Sequence, residues 1–517
     1  MLTPLAGQLE PMRPRGPQCL VDWRYVKAGG VGWYAGDERI GLWEPAPSQT
    51  RGRSTAPSGI RLQTQPAETI GPILGRDKPW EYRYAMATVL YDEGVYRAWY
   101  CCVPGDHFEG QELRWPVGHG NLLCYAESDD GFTWRKPDLG IAEYHGETQT
   151  NIVYGRDLSP TGFHGGSVFK DPQAPPAERY KLIYLGLITD VDVGKWKSTY
   201  RQRFGDDMDP MSFRRPNRVS TVAGAVSPDG LRWTPLAEPL MVHFSDTLNT
   251  AYWDPALGRY VGYFRTWRYG RRCVGRAETE DFRSWPSTPE TILQAPLESH
   301  PSDDVYTNAK IIYPGSEDTH LMFPAVYHRF DDSREVYLAS SVDGINWQWV
   351  PGGPVIKRGP LGAWNGSDLT ATQGLVHLPG DRIAVPIEGY VSPHKYPRGS
   401  GPFGAPGWAT WPTGRLCAII ADELGQFATP SLLFEGRELS LNVETRQAGE
   451  VLVELQDEAG KALPGRTFAD ADPIIADTLD QRVTWQGEAD IGEFAGKPIS
   501  LAFRLRDARL FAFEFVP

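Results

Sequence analysis

The chain has 517 residues, of which 41% are apolar and 23% charged, the balance of a globular protein. That length allows roughly two to four domains, or one large domain with an appendage. A formal net charge of -13 argues against nucleic acid or an anionic membrane surface as a partner, and no apolar run reaches the roughly 18 residues a spanning helix needs.

The N-terminus lacks a charged leader followed by an apolar segment, so no signal peptide is expected and a cytoplasmic location follows. Six cysteines (Cys19, Cys101, Cys102, Cys124, Cys273, Cys417) show no CxxC and no metal spacing, and ten histidines are scattered. Free thiols are therefore expected, with no metal and no cofactor. Gly 55, Pro 44, Trp 18 and Tyr 23 suit many turns, aromatic-rich strands and few long helices.

In chain order, residues 1–20 are Pro-rich and read as an extended arm. Leu20 to Val26 reads as a strand, and 45–65 as a long loop. Strand-like blocks then recur. The first runs from Ala85 through the turn at Asp92-Glu93-Gly94 to Tyr100 and then to Ser128-Asp129-Asp130-Gly131-Phe132-Thr133-Trp134. The second opens near Thr150-Asn151-Ile152-Val153-Tyr154 and Phe163-His164-Gly165-Gly166, returns as Tyr180 to Leu187, and ends at Ser227-Pro228-Asp229-Gly230-Leu231-Arg232-Trp233. Within it, 190–218 is a polar, basic insertion expected to overhang one face. The third opens at Asp246 and returns as Tyr260 to Trp267, ending at a degenerate Thr279-Glu280-Asp281-Phe282-Arg283-Ser284-Trp285. The fourth opens at Asp303, returns as Leu321 to Tyr327, and reaches Ser341-Val342-Asp343-Gly344-Ile345-Asn346-Trp347. The fifth opens at Trp364 to Asp368 and returns as Ile383 to Tyr390.

Asp-Gly signals a two-residue hairpin, because such a turn needs positive φ. A hairpin repeated at intervals of tens of residues points to a propeller. The expected fold is all-β: a five-bladed β-propeller over 1–425, with the strand at 20–26 completing the last blade, followed by a C-terminal β-sandwich over 431–517. In the sandwich, Leu439–Val443, Val451–Leu455, Arg482–Trp485, Ile499–Phe503 and Leu510–Phe515 read as strands.

The segments Leu20-Val21-Asp22, Asp77-Lys78-Pro79-Trp80-Glu81, Tyr125-Ala126-Glu127-Ser128, Phe434-Glu435-Gly436, Leu441-Asn442-Val443 and Asp507-Ala508, in this order, resemble the glycoside hydrolase family 32 group and its five-bladed relatives in families 43 and 68. The resemblance spans nearly the whole chain and implies a divergent member. It implies glycosidase activity on an oligosaccharide or glycoside. The family's three catalytic segments are not reproduced: the blade-one strand reads Tyr84-Ala85-Met86-Ala87-Thr88, and blade two carries Gly where the family has Asp.

Glycosidic cleavage needs two carboxyls across the bond. Those at the block openings are the candidates: Asp304, Asp246, Asp368 and Glu81. Candidate substrate contacts are Trp80, His164, Tyr306, Asn308, Trp364, Arg265 and Glu388, with Trp115 a further stacking platform. The expected activity is hydrolysis or transglycosylation at a terminal, furanose-type glycoside. Two alternatives stay open: a non-catalytic carbohydrate-binding propeller, and a glycoside phosphorylase using Arg265, Arg268, Arg271 and Arg272. A homo-oligomer is left open as well.

Overall fold

A computed structural model describes residues 10–36, 38–40, 50–110, 112–296, 298–316, 318–397, 400–401 and 404–517. The chain divides into two compact units. The larger, Pro66–Trp349 with Pro354–Trp411, is the propeller; the other holds the described residues up to Gln65, Val350–Gly353 and Pro412–Pro517. The division differs from the expected one in that the N-terminal segment and residues 412–430 belong with the C-terminal strands.

Each blade is an antiparallel sheet whose strands follow one another outward. Ile152–Gly155, expected to open block two, is instead the outermost strand of blade one, paired with Leu122–Ser128. The inner strands are Arg83–Asp92, His164–Lys170, Thr250–Asp254, Asp303–Thr307 and Asp368–Ala371. Each pairs with the return strand foreseen for it: Val95–Val103, Tyr180–Thr189, Arg259–Arg268, Ala325–His328 and Arg382–Tyr390. Return strands are covered on both faces, by the core of their own blade and that of the next. They therefore read as near-continuous apolar runs; the first eight residues of Tyr180–Thr189 are buried. Blade four is split into two sheets, because Ala309 takes a positive φ of 41° and interrupts its inner strand.

The strand that closes the ring is Glu68–Ile70, which pairs with Ala405–Pro412 through Ile70 and Trp408. This corrects the expectation for residues 20–26. There, Asp22 accepts from the backbone N–H of Arg24 and pairs with its guanidinium, which winds Trp23–Tyr25 into a 3-10 turn. Pairing the first described strand of the propeller with a strand of the last blade closes the ring.

The repeated motif is larger than a two-residue hairpin. In blades two and four the whole of Ser227–Trp233 and Ser341–Trp347 is the turn between the third and fourth strands. The Ser hydroxyl accepts from the Gly N–H (2.9 Å in all three full copies), and the Asp carboxylate accepts from the two N–H groups after Gly. Gly131, Gly230 and Gly344 have φ of 78°, 77° and 69°, the left-handed region where a side chain is strained. The result is a fixed carbonyl, and the preceding blade bonds to it. Trp408 Nε1 of blade five donates to Gly131 at 2.8 Å, Trp99 Nε1 of blade one to Gly230 at 2.6 Å, and Tyr263 Oη of blade three to Gly344 at 2.9 Å. In blade three Phe282 stands in place of Gly, and its ring packs on Phe169 of blade two instead, 5.8 Å between centroids. The motif is thus a latch between neighbouring blades.

The other unit is antiparallel too, ordered Asp477–Arg482, Glu438–Gln456, Ser500–Val516, Cys417–Ala428, Arg61–Thr64, with Gln18–Cys19 added against Phe513 and Ala512. The segments expected as separate strands at 439–443 and 451–455 are one strand, as are those at 499–503 and 510–515. A bulge at Thr445/Glu450 bends the first of these strands where a turn was expected, and one at Ala421/Leu424 bends the partner strand Cys417–Ala428 opposite Arg506 to Ala508. Of the strand expected at Arg482–Trp485, Arg482 ends the strand Asp477–Arg482 and Trp485 forms two isolated bridges, with Ala471 and Glu488. Within 45–65, Thr50–Ser54 and Arg61–Thr64 are strands rather than loop, while 45–49, like 1–9 of the arm, lie outside the described residues.

Trp99→Phe keeps the ring but leaves the Gly230 carbonyl without its donor. A buried acceptor so orphaned costs about 1–3 kcal/mol, so the unfolding free energy of Trp99→Phe is expected to fall by that much, read as a lower urea midpoint at an unchanged slope.

Candidate active site

At the end of the propeller where the inner strands begin lies a cavity of about 220 Å³ lined from all five blades. Blade one supplies Arg83, blade two His164, and blade three Asp246 and Thr247 just ahead of its inner strand. Blade four supplies Tyr306, and blade five Glu388 and Tyr390. Glu388 ends a return strand rather than beginning an inner one. Antiparallel pairing sets it opposite Thr370, so it reaches the same mouth.

Among the described residues lining the cavity, Asp246 and Glu388 are the carboxylates. Asp246 Oδ2 accepts from Arg265 at 2.8 Å, and its Oδ1 lies 3.5 Å from His164 Nε2. Its side chain is 30% exposed and opens to the cavity. Burial raises its pKa, but the hydrogen bond with His164 and the charges of Arg265 and Arg272 outweigh that and hold it well below the usual carboxylate range. Asp246 is therefore ionised at any working pH. Glu388 is 4% exposed and hydrogen-bonds to Tyr390, whose phenol burial pushes well above its ordinary value.

Two of the expected catalytic acids stand one layer back. Asp304 is fully buried and accepts from Arg272 at 2.6 Å and from Arg329 at 2.7 Å. Asp368 is equally buried and forks against Arg334 through both carboxylate oxygens. Neither lines the cavity; the arginines they hold, Arg272 and Arg334, do. A carboxylate buried away from water needs its neighbouring guanidinium, because without it the charge would stand uncompensated. They act here as positioning residues. Glu81 does not reach the cavity either. It caps the turn before blade one, accepting from the N–H groups of Asp77 and Lys78 and from Lys136 and Tyr100.

The binding candidates divide in the same way. His164 and Tyr306 line the cavity. The ring of Tyr306 has three guanidiniums over it, Arg265 at 4.5 Å, Arg334 at 4.7 Å and Arg272 at 5.2 Å. Arg265 lies behind the wall and holds both Asp246 and the Tyr306 carbonyl. Trp80 is buried with its indole N–H on Asn151, and is no sugar platform. Trp364 is pressed on Gly71 and Gly407 and lies outside the lining. Asn308 is structural, bridging Leu248, Thr250 and Lys310. Trp115 is half-exposed and stacks on His107, which itself lines the cavity.

The cationic wall was not legible from the block openings. Six cations line the cavity: Arg83, Arg214, Arg218, Arg272, Arg334 and Lys395. The basic stretch 190–218 was the one signal for two of them. It forms a helix, Val193–Phe204, capped by Asp192, then a 3-10 turn, Pro210–Phe213. His394 also lines the cavity. Burial, and then the charge of Arg334, push its pKa down to about 3, so it is neutral.

No family model and no curated protein matches the sequence. Solved structures similar to the chain include an N-acetylgalactosamine deacetylase from F. plautii in complex with blood group B trisaccharide (12% identity, 69% of this chain and 96% of that one, TM-score 0.44). Also similar are a thermostable family-43 glycoside hydrolase (12%, 65% and 91%, 0.39) and a fructofuranosidase variant from Schwanniomyces occidentalis complexed with fructosylnystose (10%, 87% and 96%, 0.37).

Two stability measurements check this layering. Asp304→Asn leaves two guanidiniums facing a neutral amide, and breaking such a buried pair is expected to cost about 3–5 kcal/mol in urea unfolding. The second concerns pH. The folded value of His394 is depressed below its unfolded value of about 6.5, so its share of stability is full above that pH. That share is lost as pH falls toward the folded value. His394→Gln should flatten the acid decline of unfolding free energy between about pH 6 and 4 by up to about 1.4 kcal/mol per pH unit, one proton's worth.

Proposed function

We propose that the chain is a glycosidase whose cleavage centre is the axial cavity, with Asp246 and Glu388 as the paired carboxyls. The observation that carries this reading is that both line the one axial cavity, from blades three and five, with Asp246 held ionised. Glycoside cleavage needs one carboxyl to protonate the leaving oxygen and one carboxylate to act as nucleophile or to activate water. Asp246, short of a proton at any working pH, takes the second role. His164 and Arg265 fix its orientation. Glu388, buried beside Tyr390, takes the first: its proton passes to the glycosidic oxygen as the bond to the anomeric carbon breaks. The cation-bearing rim and the ring of Tyr306 hold the sugar between them. The sequence resemblance supports a terminal, furanose-type glycoside as substrate, handled by hydrolysis or transfer to another sugar.

The test is a panel of fructosides, arabinofuranosides and galactofuranosides, scored for sugar release by the wild type, Asp246→Asn and Glu388→Gln. Each variant is expected to lose roughly 10²–10⁴-fold in kcat at a near-native unfolding midpoint. Sugar release undiminished in both would remove the assignment.

A further inference from the structure

We infer that the cavity contains an oxyanion subsite formed by Arg214 and Arg218 beside Asp246, which takes a carboxylate or phosphate group. The inference rests on the glycosidase reading for its place in a reaction, but not for the binding itself.

The first argument is the charge balance of the wall. The chain as a whole carries -13, yet six cations face two carboxylates across this cavity. Three of the charges on the wall are met by neighbours. Arg272 is met by Asp304 and Arg334 by Asp368, while Asp246 is met by Arg265 from behind. Arg214 and Arg218 differ. Among the described residues neither has a carboxylate within ion-pair distance, and Arg218 is perturbed by burial and by its neighbours Arg215 and Arg214, which lower its pKa. Like charges gathered without a counter-ion are costly, and in a concave wall they focus a field that an anion relieves.

The second argument is positioning. A solvated pair on a floppy loop would need no explanation, but this pair is anchored. Arg218 begins the third strand of blade two, in register with Thr189. Arg214 lies flat over the ring of Phe244, its guanidinium carbon 3.9 Å from the centroid. The turn carrying Arg214 is tied to blade three by Asp209. Its N–H donates to the Val242 carbonyl, and its carboxylate accepts from the Phe244 N–H at 3.1 Å and meets His243 at 3.1 Å. The neighbouring Asp207 accepts from the Ser287 N–H at 2.7 Å. The insertion thus carries two planar guanidiniums to the same wall as Phe244 and Asp246. Guanidiniums suit carboxylate and phosphate because their forked N–H groups match two oxygens at once.

The anion has two sources. It is a substituent of the sugar, as in a uronic acid, or it is inorganic phosphate that takes the place of water. In the second case a phosphate oxygen bonds to the anomeric carbon, the glycosidic C–O bond breaks, and the leaving oxygen receives the proton of Glu388, giving a sugar 1-phosphate.

Equilibrium binding tests the subsite apart from turnover. Inorganic phosphate, glucuronate and galacturonate, with glucose and galactose as neutral controls, are titrated calorimetrically into wild type, Arg214→Ala/Arg218→Ala and Asp246→Asn. The anions are expected to bind the wild type, to bind Asp246→Asn at least as tightly because a repelling carboxylate is gone, and to lose roughly tenfold per arginine in the double variant. Wild-type binding that exceeds the neutral controls and falls in the double variant supports the subsite even if no glycoside is cleaved. Anion binding no tighter than the neutral sugars, or unchanged in the double variant, overturns it even if glycosides are cleaved. Turnover then separates the sources: a uronide preferred over its neutral counterpart marks the substituent, and phosphate-dependent release of sugar 1-phosphate marks the free ion.

Discussion

The propeller depends on a hydrogen bond between an aromatic side chain of one blade and a glycine carbonyl of the next. Blades in a ring touch mainly through apolar side chains, which resist separation but tolerate sliding. A directional bond to a carbonyl fixed by its own Ser–Asp turn sets the angular register. The pairs Trp408–Gly131, Trp99–Gly230 and Tyr263–Gly344 each join a blade to its predecessor. That register decides which side chains meet at the axis. The cavity is lined from five blades, so a small rotation of any one would displace Asp246 from Glu388 or Tyr306 from its guanidiniums.

A second constraint is electrostatic. Inner strands bring acids and arginines from different blades close to one axis, where water is scarce and an unpaired charge is expensive. The molecule satisfies this in two layers. Asp304 and Asp368 are fully committed behind the wall, and the arginines they hold present their remaining surface to the cavity. Asp246 reverses the arrangement, with Arg265 behind and the carboxylate in front. The same residue type, at nearly the same place in three blades, is structural twice and exposed once. The difference lies in whether its guanidinium stands in front of it or behind it.

This explains what the sequence disclosed. The blade count, the inner strands and the return strands were legible, because a strand covered on both faces writes a continuous apolar run and four of the five blades carry the turn motif, one of them in degenerate form. The five-bladed ring and the β-rich C-terminal unit followed. The closing strand was not legible: Glu-Thr-Ile at 68–70 has no pattern of its own, while Leu20 to Val26 looks like a strand until Asp22 is seen to cap a turn. At the site, position along an inner strand located Asp246 and His164, but burial order is invisible to spacing, so Asp304, Asp368 and Glu81 looked equivalent to it. Trp80 and Trp364 misled for a related reason, since a tryptophan beside an acid or a glycine is more often core than platform.

The wall's charge and the state of Asp246 have one cause. A carboxylate half-buried in an apolar mouth would ordinarily take up a proton. Here the hydrogen bond with His164 and the charges of Arg265 and Arg272 keep it charged, and the proposed anion subsite would draw on that same potential, extended by Arg214 and Arg218. The two effects oppose each other locally, because a bound anion would raise the proton affinity of Asp246. An arrangement that keeps both must hold the anion off the carboxylate. The insertion brings Arg214 in over Phe244, while Arg265, which does not line the cavity, holds Asp246 from behind. Separation of the two guanidinium sets lets one cavity carry a permanent carboxylate and a second negative group at once.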